Sequence, residues 1–136
     1  MEIKEILKYD WNYAEYIVTD GSNDLVCMCL SVPLPDDMCP QVGMKISTIY
    51  AFFHTEIRIT KLMREENKKF SIEKGKSYFS YRLCGKITDM KKALIQVYDF
   101  VISLEYQFND GFPSDYSDGD FIAFDVDRLD CCIELK

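Results

Sequence analysis

Two stretches decide the fold predicted for this chain, residues 93–106 (ALIQVYDFVISLEY) and residues 120–134 (DFIAFDVDRLDCCIE). Each alternates apolar and polar residues, which is the period of a half-buried strand. The alternation changes phase inside each stretch. In the first, Ile95 and Val97 share one parity, whereas Phe100 has the other. Because a strand changes its inward face only at a bulge or a sharp bend, we expect both stretches to be bent strands of a strongly curved sheet.

Strand patterns also dominate the rest of the chain. Residues 13–19 and 25–32 flank an Asp-Gly turn, which predicts a hairpin. Further strand-like runs cover residues 45–53, 56–62 and 78–88. Residues 1–8 fit helical spacing as well as a strand, and the strand-rich context favours the strand. Residues 63–76 are polar and residues 107–119 contain Gly, Pro and several Asp, so we predict two long loops there.

Together these runs predict an all-β fold in one domain, residues 1–136. Its length of 136 residues suits a single domain, and 48% hydrophobic with 29% charged residues is a globular composition. Bent strands are what small barrels need. We therefore expect a small barrel or a strongly twisted antiparallel sheet of about six strands, with an OB-like topology as the specific hypothesis.

The cysteines and the N-terminus bear on compartment and cofactors. The six cysteines are Cys27, Cys29, Cys39, Cys84, Cys131 and Cys132. None is in a C-x₂-C pair, so we predict free, mostly buried thiols in a reducing environment and neither metal nor cofactor. A zinc site built from Cys27, Cys29, Cys131 and Cys132 is the alternative. Charged residues interrupt residues 1–8 and no long apolar run occurs, which predicts a soluble cytoplasmic protein without membrane association.

Charge is divided along the chain. The net charge is −7, but residues 1–60 carry −5, residues 61–92 carry +6 and residues 93–136 carry −8. Blocks of one sign set the electrostatic potential that a partner meets on approach. The sequence therefore predicts that a binding partner recognises one of these blocks.

The acidic block suggests a protein-binding surface. Carboxylates and aromatic rings occur together in the loop near residues 107–119 and at the start of the strand that follows. Exposed rings among carboxylates suit the recognition of a basic protein. The candidate contact residues are Asp110, Phe112, Asp115, Tyr116, Asp118 and Asp120. An irregular calcium site in the same loop is the alternative, although the loop fails the EF-hand template at two positions.

The basic block suggests a different partner, single-stranded nucleic acid. Binders of this class combine cations for phosphates with rings on which bases stack. The candidate residues are Lys68, Lys69, Phe70, Tyr78, Lys91 and Lys92. A net charge of −7 opposes the binding of a polyanion.

Catalytic motifs are lacking. His54 is the only histidine, and the chain has no G-x-S-x-G, H-E-x-x-H, Walker or G-x-G-x-x-G motif. The pair Asp125 and Asp127 shares a strand parity, but exposed strand faces commonly carry such pairs. We therefore predict a non-enzymatic interaction protein that binds a basic protein through the acidic, aromatic-containing loop. An acidic inhibitor, as toxin-neutralising immunity proteins are, is one version by analogy alone. An OB-like single-strand binder that uses residues 61–92 is the alternative.

Overall fold

The computed structural model describes residues 1–55 and 58–134, apart from the side chain of Asp37. These residues form eleven strands and two short 3₁₀ turns, Pro35–Asp37 and Glu65–Asn67. The strands are β1 (Glu2–Asp10), β2 (Tyr13–Thr19), β3 (Asp24–Cys29), β4 (Ile46–Phe52), β5 (Ile59–Leu62), β6 (Ser71–Lys74), β7 (Tyr81–Asp89), β8 (Leu94–Val97), β9 (Phe100–Ser103), β10 (Phe121–Val126) and β11 (Arg128–Ile133). In the described part of the chain, no helix has the length and apolar character needed to cross a membrane.

The strands form one mostly antiparallel sheet that is not closed. Their order is β1-β2-β3-β11-β4-β9-β8-β7-β10-β5, and β6 pairs with β7. Only the β3–β11 and β4–β9 pairs are parallel among the described residues. The predicted all-β class is confirmed. The count of about six strands is wrong, because residues 93–106 and residues 120–134 contain two strands each and the predicted loop 63–76 contains another. The sheet is open, so the barrel alternative is also wrong.

Residues 93–106 are a hairpin and not one bent strand. In β8 and β9, Val97 lies opposite Phe100, so Tyr98 and Asp99 form a two-residue turn. Tyr98 has a φ of 53°, the left-handed conformation that tight hairpin turns require at a central position. The change of phase in the sequence therefore marks a turn at which the chain reverses direction. A turn and a bulge produce the same change of parity in the sequence.

Residues 120–134 do contain the predicted bend. β10 pairs with β7 and β5, whereas β11 pairs with β4 and β3, so the chain moves to another part of the sheet at Asp127. The backbone N–H of Asp127 donates to the Phe52 carbonyl at 3.1 Å. Its carboxylate accepts from the backbone N–H of His54 at 2.7 Å. These hydrogen bonds hold the bend at Asp127 against the end of β4.

Of the remaining predictions about strands and loops, some are confirmed and others are wrong. Of residues 1–8, all but the first belong to strand β1, and the Asp-Gly hairpin is β2–β3. Residues 63–76 are not only loop, because Ser71–Lys74 pairs with the first half of β7. Because this short strand carries exposed charged residues, its sequence lacks the apolar alternation that predicts a strand. The predicted run 56–62 forms a strand over Ile59–Leu62, while Glu56 and Ile57 lie outside the described residues.

One face of the sheet encloses the hydrophobic core. Its largest fully buried side chains include Tyr16, Phe100 and Phe124. In β2 and β11 the residues of one parity lie in this core, and Glu15 and Asp130 occupy the other parity. Both carboxylates are nevertheless buried, at 3% and 1% exposure. The face opposite the core is therefore partly covered, and polar groups are enclosed there.

Candidate functional site

The acidic loop, residues 107–120, is held firmly against the β7–β8 hairpin. The Phe112 N–H donates to the Met90 carbonyl at 2.9 Å, and the Gly119 N–H donates to Ile87 at 2.8 Å. Gly111 has a φ of 93°, and a Cβ there would lie 2.6 Å from the Met90 carbonyl oxygen. Only glycine fits such a close approach without strain. The loop thus has a defined conformation set by backbone contacts.

Phe112 lies in the core and not on the surface. Its side chain is 7% exposed, and its ring packs 5.2 Å from that of Phe108 and 6.0 Å from that of Tyr116. The expectation that Phe112 is an exposed anchor is therefore corrected. An isolated loop aromatic beside several Asp looks like a surface anchor in sequence, but here it holds the loop to the sheet. Tyr116 is half-buried and offers only part of its ring.

Lys61 of β5 joins the basic segment to the acidic loop. Its Nζ lies 3.1 Å from the Asp120 carboxylate, donates to the Asp115 carbonyl at 3.0 Å and lies 5.7 Å above the Tyr116 ring. Partial burial alone would raise the pKa of Asp120, but hydrogen bonds from Lys61 and the Ser117 N–H hold this pKa below its usual range. Asp120 is thus engaged within the protein.

The other three aspartates of the loop face solvent. Asp110, Asp115 and Asp118 are exposed, and none forms a salt bridge within residues 1–55 and 58–134. Of the six residues predicted as protein contacts, these three have carboxylates that are free for a partner.

The residues predicted to bind nucleic acid lie in different settings. Lys68 pairs with Glu65 at 2.8 Å, and Lys69 is exposed. The half-buried Phe70 ring packs against the rings of Tyr98 and Phe121. Tyr78 is 58% exposed and meets Phe79 edge-on at 4.8 Å. Of the two candidate stacking rings, Tyr78 therefore offers much the larger free surface.

Sequence reasoning missed a group of polar residues on the face opposite the core. The Asp130 carboxylate accepts from Arg128 Nε at 2.6 Å and from Nη2 at 3.0 Å. The Arg128 guanidinium lies 4.1 Å above the Phe52 ring. Two hydrogen bonds and a stacked ring fix its orientation. A lone charge between Leu129 and Cys131 was the signal in the sequence.

Glu15 forms a second buried polar group, two strands away from Asp130. Both residues lie opposite Met28 in the register, on β2 and β11 respectively. The Tyr13 hydroxyl donates to Glu15 Oε2, which together with burial raises the pKa of Tyr13 to about 12. Glu15 Oε1 is buried and has no hydrogen-bond partner within the described residues. The sequence shows the same signal here, a charge between Ala14 and Tyr16.

Two pockets open beside the stacked rings of Tyr50 and Tyr106, the tyrosine pair, whose centroids are 5.5 Å apart. The apolar pocket has a volume of about 380 Å³ and is lined by Leu30, Phe52, Phe53, Tyr106, Gln107, Arg128 and Asp130. The polar pocket has a volume of about 430 Å³ and is lined by Thr48, Tyr50, Lys91, Lys92, Leu94, Ser103, Glu105 and Asn109. Both volumes are in the range of small-molecule sites. Lys91 and Lys92 thus lie in a pocket that their sequence context did not indicate.

The cysteines do not form the alternative zinc site. Cys27, Cys29 and Cys131 are buried in the core, while Cys132 has the opposite strand parity. A hydrogen bond with Cys131, together with burial, raises the pKa of the Cys29 thiol. Within residues 1–55 and 58–134, no three His, Cys, Asp or Glu side chains are arranged to hold a metal ion. The calcium alternative in the acidic loop likewise has no such cluster to support it.

His54 lies at the surface beyond β4, and its ring meets Phe52 edge-on at 5.0 Å. The backbone N–H of His54 donates to the Asp127 carboxylate, and Asp125 forms an ion pair with Arg82 at 3.4 Å. The carboxylate pair noted in the sequence therefore has structural contacts.

Comparison of the chain with family models, curated proteins and solved structures finds no match.

Proposed function

We propose that this protein binds a basic protein partner through the acidic loop and the strand that follows it. The observation that carries the proposal is the set of three exposed carboxylates, those of Asp110, Asp115 and Asp118, on one short loop. A carboxylate without an internal cation is available for a lysine or arginine of a partner. Complementary charge of this kind speeds association and selects the partner.

The rigidity of the acidic loop supports the same function. Backbone bonds to Met90 and Ile87, the buried Phe112 ring and the ion pair of Lys61 with Asp120 hold the loop in place. A surface that is already ordered loses less conformational entropy when it binds. Lys61 and Phe112 act in this proposal as positioning residues and not as contacts.

The test compares two triple variants of equal net charge. The loop variant carries Asp110→Ala, Asp115→Ala and Asp118→Ala. The control variant carries Asp10→Ala, Glu66→Ala and Glu73→Ala, whose side chains are exposed and outside the ion pairs of the described chain. Immobilised wild-type protein and both variants are incubated with host-cell lysate, and each captured protein is identified and then titrated in purified form.

We expect the wild type and the control variant to bind the same basic protein, and the loop variant to lose it while remaining folded by circular dichroism. Rising salt should weaken the complex, because exposed charges are screened. Equal binding of the loop variant, or capture of an acidic partner only, would contradict the proposal.

A second candidate function is single-strand nucleic-acid binding by an OB-like domain. The exposed ring of Tyr78 and the exposed Lys69, Lys91 and Lys92 favour it. Both candidates suit the cytoplasm, where reducing conditions keep thiols free, and all six cysteines are unpaired here. Anisotropy of labelled single-stranded DNA and RNA tests this candidate, because phosphate-driven binding should weaken steeply between about 50 and 200 mM salt.

A further inference from the structure

The apolar and polar pockets adjoin along the outward face of β4. Phe52 lines the apolar pocket and Tyr50 lines the polar pocket. Residues two apart on a strand lie about 7 Å from each other on the same face. Tyr106 stacks on Tyr50 and itself lines the apolar pocket, while Tyr50 lines the polar pocket, so the tyrosine pair is a wall common to both. A ligand that passes over the tyrosine pair can reach both pockets.

The apolar pocket suits a planar ring. Phe52, Phe53 and Tyr106 contribute aromatic walls, and the Tyr106 side chain is 51% exposed. Arg128 is fixed in plane by Asp130 and by the Phe52 ring, with Nη1 left free of internal hydrogen bonds to the described residues. Aromatic rings and a guanidinium plane are the surfaces on which nucleobases stack, and a guanidinium N–H donates to ring acceptors.

The polar pocket suits an anion. Lys91 and Lys92 lie on the turn after β7, both exposed, and they form no salt bridge with the described residues. Thr48 and Ser103 contribute hydroxyl groups to the same pocket. Glu105 is the one carboxylate among the described residues that line it, beside two lysines, so this lining has an excess of positive charge.

From this juxtaposition we propose that the two pockets form a binding site for a nucleoside 5′-monophosphate. The base lies in the apolar pocket against Tyr106 and Arg128, and the phosphate lies in the polar pocket near Lys91 and Lys92. The chemistry required is an aromatic ring joined to a phosphate by a short polar linker, which a nucleotide provides.

The charge of the protein favours a single nucleotide over a long strand. A net charge of −7 repels a polyanion, and the repulsion grows with each added phosphate. Gln107 and Asn109 of the acidic loop line the two pockets, but none of Asp110, Asp115 and Asp118 does. A failure of nucleotide binding would therefore leave the proposed protein partner of these aspartates untouched.

The experiment is calorimetric titration of the full chain with the four ribonucleoside 5′-monophosphates. Each nucleoside and inorganic phosphate are titrated separately. We expect at least one monophosphate to bind and its separate halves to bind at least about tenfold more weakly, because both pockets contribute. Tyr106→Ala should weaken binding about tenfold, and so should Lys91→Ala combined with Lys92→Ala, since stacking and charge each carry affinity.

The controls make the same chemical changes elsewhere. Tyr9→Ala removes another exposed ring, and Arg64→Ala with Lys76→Ala removes two other exposed cations. These variants should bind like the wild type. The proposal is overturned if no monophosphate binds at about 5 mM, if a nucleoside binds as tightly as its phosphate, or if the controls weaken binding equally. Tighter binding of a ten-nucleotide single strand than of its monophosphate also overturns it, in favour of the nucleic-acid candidate.

Discussion

The ion pair beside the apolar pocket makes an asymmetric prediction about stability. Asp130→Asn removes a buried negative charge, while Arg128→Met removes the cation that neutralises it. The side chain of Asp130 is 2% exposed and that of Arg128 is 27% exposed. In the first variant the guanidinium can turn toward water and keep its contact with Phe52. In the second the carboxylate stays buried without a cation.

The expected changes in the free energy of unfolding follow from the degree to which each side chain is buried. Removing one partner of a buried ion pair costs about 3–5 kcal/mol, because the other charge is left uncompensated. We expect Arg128→Met to lower the free energy of unfolding by about 3–4 kcal/mol on this basis, and Asp130→Asn by about 2 kcal/mol, since a partly exposed arginine regains hydration. The double variant should cost less than the sum of the two.

Urea denaturation of the wild type, the two single variants and the double variant completes a mutant cycle. The expected coupling is above about 1 kcal/mol, because the residues share two hydrogen bonds. Equal losses in the two single variants, or a coupling below about 0.5 kcal/mol, would refute the reasoning that Asp130 needs Arg128.

Three further predictions follow from other parts of the chain. Gly111→Ala should lower the melting temperature much more than Gly119→Ala, because a Cβ at Gly111 collides with the Met90 backbone whereas a Cβ at Gly119 meets nothing, and differential scanning calorimetry measures both. In the native protein Cys39 should react with a thiol reagent first and Cys131 only on unfolding, because Cys39 is exposed and Cys131 is buried with a raised pKa, which a time course with mass spectrometry follows. Burial would raise the pKa of Asp20, but hydrogen bonds from three backbone N–H groups lower it, so Asp20 stabilises the fold above the usual carboxyl pKa of about 4 and loses this effect on acidification. The stability difference between the wild type and Asp20→Ala should therefore shrink when unfolding is repeated at progressively lower pH.

The sequence predicted the strand content better than the strand count. Alternation in residues 13–19 and the Asp-Gly turn were enough to predict the β2–β3 hairpin, because both signals are local. Residues 93–106 gave no turn signal, since neither Tyr98 nor Asp99 is the glycine that a left-handed turn position favours. Tyr98 takes that conformation because the pairing of β8 with β9 holds it there.

The site could be predicted only in part. The acidity of residues 107–120 was visible in the sequence, and three of its aspartates are exposed. Whether Phe112 faces solvent could not be inferred, because the contact that buries it comes from Phe108 and from the fold of the loop. Lys61 belongs to the basic segment 61–92 in sequence, but the pairing of β5 with β10 brings it to Asp120.

By itself the sequence determined the all-β class, the first hairpin, the bend at residues 120–134 and the separation of charge into blocks. These follow from periodicity and composition, which act over a few neighbouring residues. Only the tertiary structure decided that the sheet has eleven strands and stays open, that Glu15 and Asp130 are buried, and that Tyr50 meets Tyr106 between two pockets. Each of these depends on which distant strands pair, because that pairing places side chains from segments far apart in the chain on one face of the sheet.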